Sequence, residues 1–260
     1  MTTISTVFTL LGCGNAAGTP TVGDRWGQCD PNEPRNRRSR AAALVTNSES
    51  GLLIDFGPDI CSHLIKSKRE KIDAVLLSHN HGDHVNGIDD LRTLSFINKK
   101  VMPIYSRKSA IDELETRYPY ALGRPEHELY KAFIETHYIK PGPVNIAGID
   151  LTVFEQDHGS CISLGFRFGN MSYSTDMKAL EDPAIEALKG IETWIVDGGA
   201  YKQENNLVHA NIETVIALNQ KIGARKVYLT HLPSNMDYKT VLNELPEGYE
   251  PAYDGLRIEI

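Results

Sequence analysis

Residues 78 to 84 read Ser-His-Asn-His-Gly-Asp-His, so His79, His81, Asp83 and His84 crowd four ligand-type side chains into six positions. Imidazole and carboxylate are the donors that zinc and the other borderline metals favour. A merely solvated loop has no use for such a cluster, because its members would repel one another once protonated. The run follows Asp73-Ala74-Val75-Leu76-Leu77, an apolar stretch that reads as a buried strand. The ligands should therefore leave a strand end and enter a loop stiffened by Gly82. Alternation along that loop would aim His79 and His81 at one ion and turn Asp83 and His84 towards a second. His158, Asp176 and His231 each stand just beyond a later apolar run, where further loop ligands belong. Taken singly, each would be an ordinary turn or cap residue. Their order and company make them candidates.

Strand-like runs that could position these residues recur at 3–11, 41–46, 51–55, 72–77, 102–105, 149–154, 162–168, 171–174, 193–196, 226–229 and 255–259. Helical patterns lie between them at about 59–66, 87–96, 108–117, 126–136, 183–189, 211–222 and 238–244, with Asn211 as an N-cap. Two β-rich halves with interspersed helices suggest an α/β protein of stacked sheets covered by outer helices, in one domain spanning 1–260. Residues 12–40 form the one long irregular stretch and are expected to border the site. The stretch opens with Gly12-Cys13-Gly14-Asn15-Ala16-Ala17-Gly18, but this is no dinucleotide loop: its last spacing is wrong, and Thr19-Pro20 stands where a helix should start.

Twenty-seven basic and 34 acidic residues give a formal charge of −7, which argues against broad attraction to long nucleic acid. No apolar run is long enough to suggest a membrane span. Cys13, Cys29, Cys61 and Cys161 lie far apart, as suits a reducing compartment. Met1 to Leu11 alternate like a first strand and lack the layout of a signal peptide, so a cytoplasmic protein is expected.

The pattern His-x-His-x-Asp-His after a buried strand resembles the signature of the metallo-β-lactamase superfamily. That resemblance implies an αββα sandwich of two mixed sheets flanked by helices. It also implies His79, His81 and His158 on one divalent ion, Asp83, His84 and His231 on another, and Asp176 between them. A hydroxide bridging the two ions would be the nucleophile, and Asp83 would accept a proton as well as ligate. Zn or Mn is the expected metal, with Ni or Fe also tolerated by such donors. Asp55, with Gly57 nearby, resembles the family's strand-end turn that supports the metal loop, and Asp197 could act likewise.

His209, just before the helical pattern at 211–222, would by itself be a helix-entry residue. The tail from Val208 to Ile260, however, is similar to the phosphodiesterase branch of the superfamily, which includes RNase Z and the PhnP-type cyclic-phosphate phosphodiesterases. There a histidine at this place meets the phosphate, so His209 is expected to stabilise the transition state and protonate the leaving oxygen. Asn211 to Gln220, Leu229-Thr230-His231, Tyr253-Asp254-Gly255 and Gly18-Thr19-Pro20 favour the PhnP type. Only 17 residues separate His158 from Asp176, where RNase Z enzymes insert a protruding arm for tRNA. The implied substrate is a small phosphodiester, a cyclic nucleotide or cyclic ribose phosphate, and related enzymes are often homodimers. A thioester or lactam hydrolase of the same fold is the alternative, ahead of a tRNA-processing endonuclease and of a non-enzymatic binding module.

The chain departs from PhnP relatives where they hold a structural zinc. The loop keeps only Cys29, and Ser234 replaces the histidine three positions after His231, so that zinc is not expected. Asp30-Pro31 and the segment with Arg35, Arg37, Arg38 and Arg40 should order the loop instead. Ion pairs to Asp or Glu are the preferred role for these arginines, ahead of contact with substrate phosphate. His63, His127 and His137 are not expected to bind metal, and Trp26 and Trp194 are expected to serve packing.

Overall fold

The computed structural model describes residues 5–123 and 131–260. Alternation places Phe8 and Leu10 of β1 (Val7–Gly12) in the core, and an antiparallel meander continues through β2 (Ala42–Thr46) and β3 (Gly51–Ile54). Every residue of β3 is buried, as befits a strand covered on both faces. The chain then adds parallel strands β4 (Ala74–Leu76), β5 (Met102–Ser106) and β6 (Ile134–Tyr138). Between them run α1 (Ile60–Ser67), α2 (Gly82–Val85), α3 (Ile88–Asn98) and α4 (Lys108–Arg117).

A second sheet opens with the antiparallel strands β7 (Gly142–Ile146), β8 (Ile149–Asp157), β9 (Ile162–Phe168) and β10 (Met171–Ser174). It continues in parallel with β11 (Thr193–Asp197), β12 (Lys226–Thr230) and β13 (Tyr249–Pro251), connected through α5 (Asp182–Leu188), α6 (Ile212–Ile222) and α7 (Tyr238–Glu244). The last strand, β14 (Arg257–Glu259), returns to pair with β1. The sheet orders are β14-β1-β2-β3-β4-β5-β6 and β13-β12-β11-β10-β9-β8-β7. Phe8, Leu52 and Ile54 pack against Val153, Phe166, Tyr173 and Ile195 between the sheets, and helices cover each outer face. This is the αββα sandwich. No helix among the described residues is long and apolar enough to cross a membrane.

Asn211 caps α6 as expected, its side chain accepting from the Thr214 amide at 2.8 Å. The helix expected at 126–136 is corrected over its described part, since Ile134–Tyr138 is strand β6; 126–130, with His127, lie outside the described residues. Ile134, Thr136 and Tyr138 pair in parallel with β5, and that ladder outweighs the helical composition upstream. His137 lies on this strand, 3.4 Å from Glu135. The expected run at 3–11 is strand only from Val7, with residues 3 and 4 outside the described part. Strands β7 and β13 had no counterpart in the sequence patterns. Pro143 and Pro251 obscure them, and both strands lie on sheet edges, where proline is tolerated.

His63 on α1 is almost fully buried, with Nε2 2.6 Å from the Ser39 hydroxyl and Nδ1 unpartnered. Burial, opposed by Asp59 and helped by Lys66, lowers its pKa to about 4. The folded state thus keeps the ring neutral at a pH where the unfolded chain takes a proton. Stability present above pH about 6.5 is lost as pH falls towards about 4. Between pH 7 and 4.5 this group should cost about 2 kcal/mol. Urea titrations of wild type and His63→Gln should differ in pH slope by that amount; parallel slopes would contradict it.

Candidate metal centre

The parallel strands of both sheets run out at one edge of the sandwich, where α/β sheets present their ligand sites. Asp55 follows β3, His79 and His81 follow β4, His158 follows β8, Asp176 follows β10, Asp197 ends β11 and His231 follows β12. Residues 79–81 carry no regular structure and His81 is extended, whereas Asp83 and His84 sit on the single helical turn α2. The alternating loop expected here therefore holds only as far as His81. The helical turn swings Asp83 and His84 away because Gly57 and Gly87 let the 55–57 strand end lie against it: a Cβ on Gly57 would come within 1.8 Å of the Asp83 carbonyl oxygen.

All seven ligand candidates converge. His79, His81 and His158 form one group whose donor atoms lie within 4.8 Å of each other, and Asp83, His84 and His231 form another. Asp176 links them: Oδ2 is 3.1 Å from His84 Nε2, while Oδ1 is 3.5 Å from His158 Nε2 and 3.3 Å from His231 Nε2. Asp83 Oδ2 stands 3.3 Å from His84 and 3.5 Å from His231. Asp55, Asp176 and His231 have φ of 63°, 50° and 59°, a left-handed backbone that is costly for non-glycine residues and concentrates at functional sites.

The surroundings aim these groups. Asp55 is fully buried and accepts from the Ser78 amide at 2.7 Å, the Ser78 hydroxyl at 2.8 Å and His84 Nδ1 at 2.7 Å. Ser78 in turn stands 3.0 Å from His79 Nδ1, and the Val208 carbonyl 2.8 Å from His158 Nδ1. Each ring then offers its other nitrogen to the cluster. His79 Nε2 does so while buried and without a hydrogen-bond partner, a costly state that a metal ion would relieve. The donor set, five imidazoles and two carboxylates, suits divalent borderline ions.

Charge is divided across the cluster. Burial lowers the pKa of His79 well below its ordinary value, with the neighbouring His84 adding to the effect, and burial also lowers that of His158. His84 and His231 go the other way: burial opposes protonation, but Asp176 overcomes it, aided by Asp55 at His84 and by Asp83 at His231, which rises to about 9. The same imidazoles hold Asp83 and Asp176 well below the usual carboxylate range despite burial. In this arrangement protons balance the two carboxylates, the place a cation would take.

His209 lies beside both groups, its ring centroid 4.6 Å from that of His231 and 5.3 Å from that of His158. Its Nδ1 is 2.7 Å from Asp197 Oδ2, and Asp197 also accepts from the Met177 amide at 2.9 Å and the Gly199 amide at 2.7 Å. A carboxylate so placed only accepts, so Nδ1 carries the proton and Nε2 is left to face the site. Asn206 was missed in the sequence; its side chain accepts from the amides of Val208 and His209 at 2.9 and 2.8 Å. An Asx-type turn two or three residues before the histidine was the available signal.

Arg38 is 2% exposed and donates to the carbonyls of Pro233 at 3.2 Å and Met236 at 2.6 Å and to Asn36 Oδ1 at 3.2 Å, with Cys29 Sγ 4.0 Å away. The expected ion pairs are found at Arg40, which meets both Asp59 oxygens at 3.1 Å. For the other three the expectation is corrected: Arg38 takes carbonyls, Arg35 lies over Tyr238 and Tyr253, and Arg37 lies over Trp26. Asp237, which Asn36 meets at 2.7 Å, is also engaged by the Asp30 and Thr240 amides. Trp194 is fully buried in the outer core of the second sheet, as expected of a packing residue.

A family model described as "Beta-lactamase superfamily domain" matches residues 51–232. An octanoyltransferase from Porphyromonas gingivalis is 30% identical over 250 residues, 95% of this chain but 50% of the relative, so the chain spans about half that protein's length. "Probable metallo-hydrolase YhfI" of Bacillus subtilis is 25% identical over 212 residues, covering 77% of this chain and 82% of the relative. Among solved structures, a diphosphatase from the PhnP family superposes with a TM-score of 0.87 at 26% identity, covering 99% of this chain and 98% of that one.

Proposed function

The chain belongs to the beta-lactamase superfamily, and from that premise we infer that it hydrolyses small phosphodiesters, cyclic nucleotides or cyclic ribose phosphates among them. The observation that carries this reading is the Asp197–His209 pair set against both ligand groups. Two divalent ions, Zn or Mn with Ni or Fe as further options, held by His79, His81, His158, Asp83, His84, His231 and Asp176, would supply Lewis acidity for the phosphoryl oxygens and an ionised water to attack. Asp83 is the carboxylate placed to accept that water's proton, because its side chain keeps 12% of its surface exposed against 3% for Asp176. His209, 19% exposed and fixed by Asp197, would act in its doubly protonated form: Asp197 holds the Nδ1 proton and balances the imidazolium, and the second proton passes from Nε2 to the departing oxygen. The PhnP-family relative, a diphosphatase, also breaks a P–O bond, which supports the same chemistry here. Between β9 and β10 there is only a tight turn at 169–170, which favours a small substrate over tRNA.

Leaving-group dependence tests the role of His209. An alkoxide leaving from a 2′,3′-cyclic nucleotide needs a proton, whereas nitrophenolate does not. His209→Ala should lower kcat on the cyclic nucleotide by about 10²- to 10³-fold and affect bis(p-nitrophenyl) phosphate far less, with metal content unchanged. Metal-loaded protein that cleaves neither ester would sink the phosphodiesterase reading.

A second reading is a thioester hydrolase; the octanoyltransferase relative, half of whose length this chain spans, points to acyl chemistry as its support. A thiolate departs without a proton, so in that case octanoyl thioesters would be cleaved and His209→Ala would be tolerated.

A further inference from the structure

We propose that Arg117 is a positioning residue of the metal centre, acting on His81 through the Asn80 peptide. Three of the five imidazoles are aimed by a group on the nitrogen turned away from the cluster: Ser78 for His79, Asp55 for His84 and the Val208 carbonyl for His158. His231 is aimed by complete burial on a left-handed backbone. His81 is held more loosely. It is only half-buried, its backbone is ordinary extended chain, and among the described residues its Nδ1 meets His158 at 3.3 Å while its outward Nε2 has just the exposed Ser160 hydroxyl at 3.5 Å. Its direction must therefore come chiefly from the main chain.

That main chain is gripped from the solvent side by the end of α4. Arg117 Nη1 donates to the Asn80 carbonyl at 2.6 Å, and the Asn80 side chain donates from Nδ2 to Glu113, itself 3.9 Å from Arg117. Arg117 Nη2 reaches past the loop to Asn86 Oδ1 at 3.1 Å, where the Tyr118 hydroxyl joins it at 2.7 Å. One guanidinium thus ties the loop at Asn80 and again at Asn86, two residues beyond His84, while Asp55 holds it from within. The platform is rigid, since Ile111 and Leu114 of α4 are buried in the outer core of the first sheet.

The electrostatic sign separates positioning from charge. A cation beside the centre repels divalent ions, so deleting Arg117 for its charge alone would tighten metal binding. Positioning predicts the reverse. The inference rests on the metal-centre reading and is tested by zinc competition against a chromophoric chelator, with the melting temperature of metal-free protein measured in parallel. Arg117→Ala should weaken one of two binding steps by about 10- to 100-fold and lower kcat with KM little changed. The second step and the metal-free melting temperature should hold. Arg117→Lys should recover part of the loss, because an ammonium can reach the Asn80 carbonyl but cannot also span to Asn86. Unchanged or tightened binding overturns the proposal, as does loss of both steps together with a lowered melting temperature. Wild type without two binding steps would instead sink the metal-centre reading.

Discussion

Asp176→Asn is expected to abolish two-metal occupancy and to lower phosphodiester turnover by about a thousandfold or more, while the protein still folds. Asn is chosen because it tolerates the left-handed backbone at φ 50° and keeps the shape of the side chain, so the change isolates charge and ligation. Asp176 is, among the described residues, the side chain within reach of His158 in the first group and of His84 and His231 in the second. Its loss leaves Asp83 as the carboxylate beside Nε2 of both His84 and His231, and any ion held between them lacks an anionic ligand shared with its neighbour. A loss of about 4 kcal/mol of transition-state stabilisation, the scale of metal-assisted catalysis, corresponds to about three decades of rate. Elemental analysis and turnover are to be measured on the same preparation. A variant that keeps two equivalents of metal and most of its rate would refute the bridging role.

Arg38→Ala is expected to destabilise the fold by about 4 kcal/mol, lowering the melting temperature by about 10 °C for a chain of this size. The side chain is 2% exposed, and its removal leaves the carbonyls of Pro233 and Met236 and Asn36 Oδ1 without their charged donor in a buried void. It also releases the tie between the 12–40 loop and the segment that starts at His231, so metal retention should fall with stability. Arg38→Lys should not rescue, since an ammonium cannot span acceptors spread across a planar fork. Calorimetry on both variants decides this, and a shift under about 3 °C would show that the loop is held by other contacts.

The sequence made the centre legible where chemistry is local. Four ligands fall within His79 to His84, and His158, Asp176 and His231 each end a strand whose apolar run is plain. The stacked sheets followed from the same runs. What stayed hidden depends on contacts between distant segments. The left-handed backbone at Asp176 and His231 is imposed by the strand ends around them, and neither residue type announces it. Arg38 looked like a partner for acids because its neighbours are charged, yet its acceptors are carbonyls nearly 200 positions away. Residues 134–136 read as the end of a helix until β5 supplies their ladder. Arg117 lies on an exposed helix turn and acquires meaning only when α4 comes to rest against Asn80.

Each ligand group draws from both halves of the sandwich: His79 and His81 leave the first sheet to meet His158 of the second, and Asp83 and His84 meet His231. An ion in either place would be a cross-link as much as a catalyst, closing a loop of 77 residues between His81 and His158 or of 148 between Asp83 and His231. Rivets that join two layers across such long stretches of chain restrict the unfolded state more than any local contact can. The sheets could then slide or peel apart only after both had been drawn, so metal availability would set how long the molecule survives as well as how fast it works.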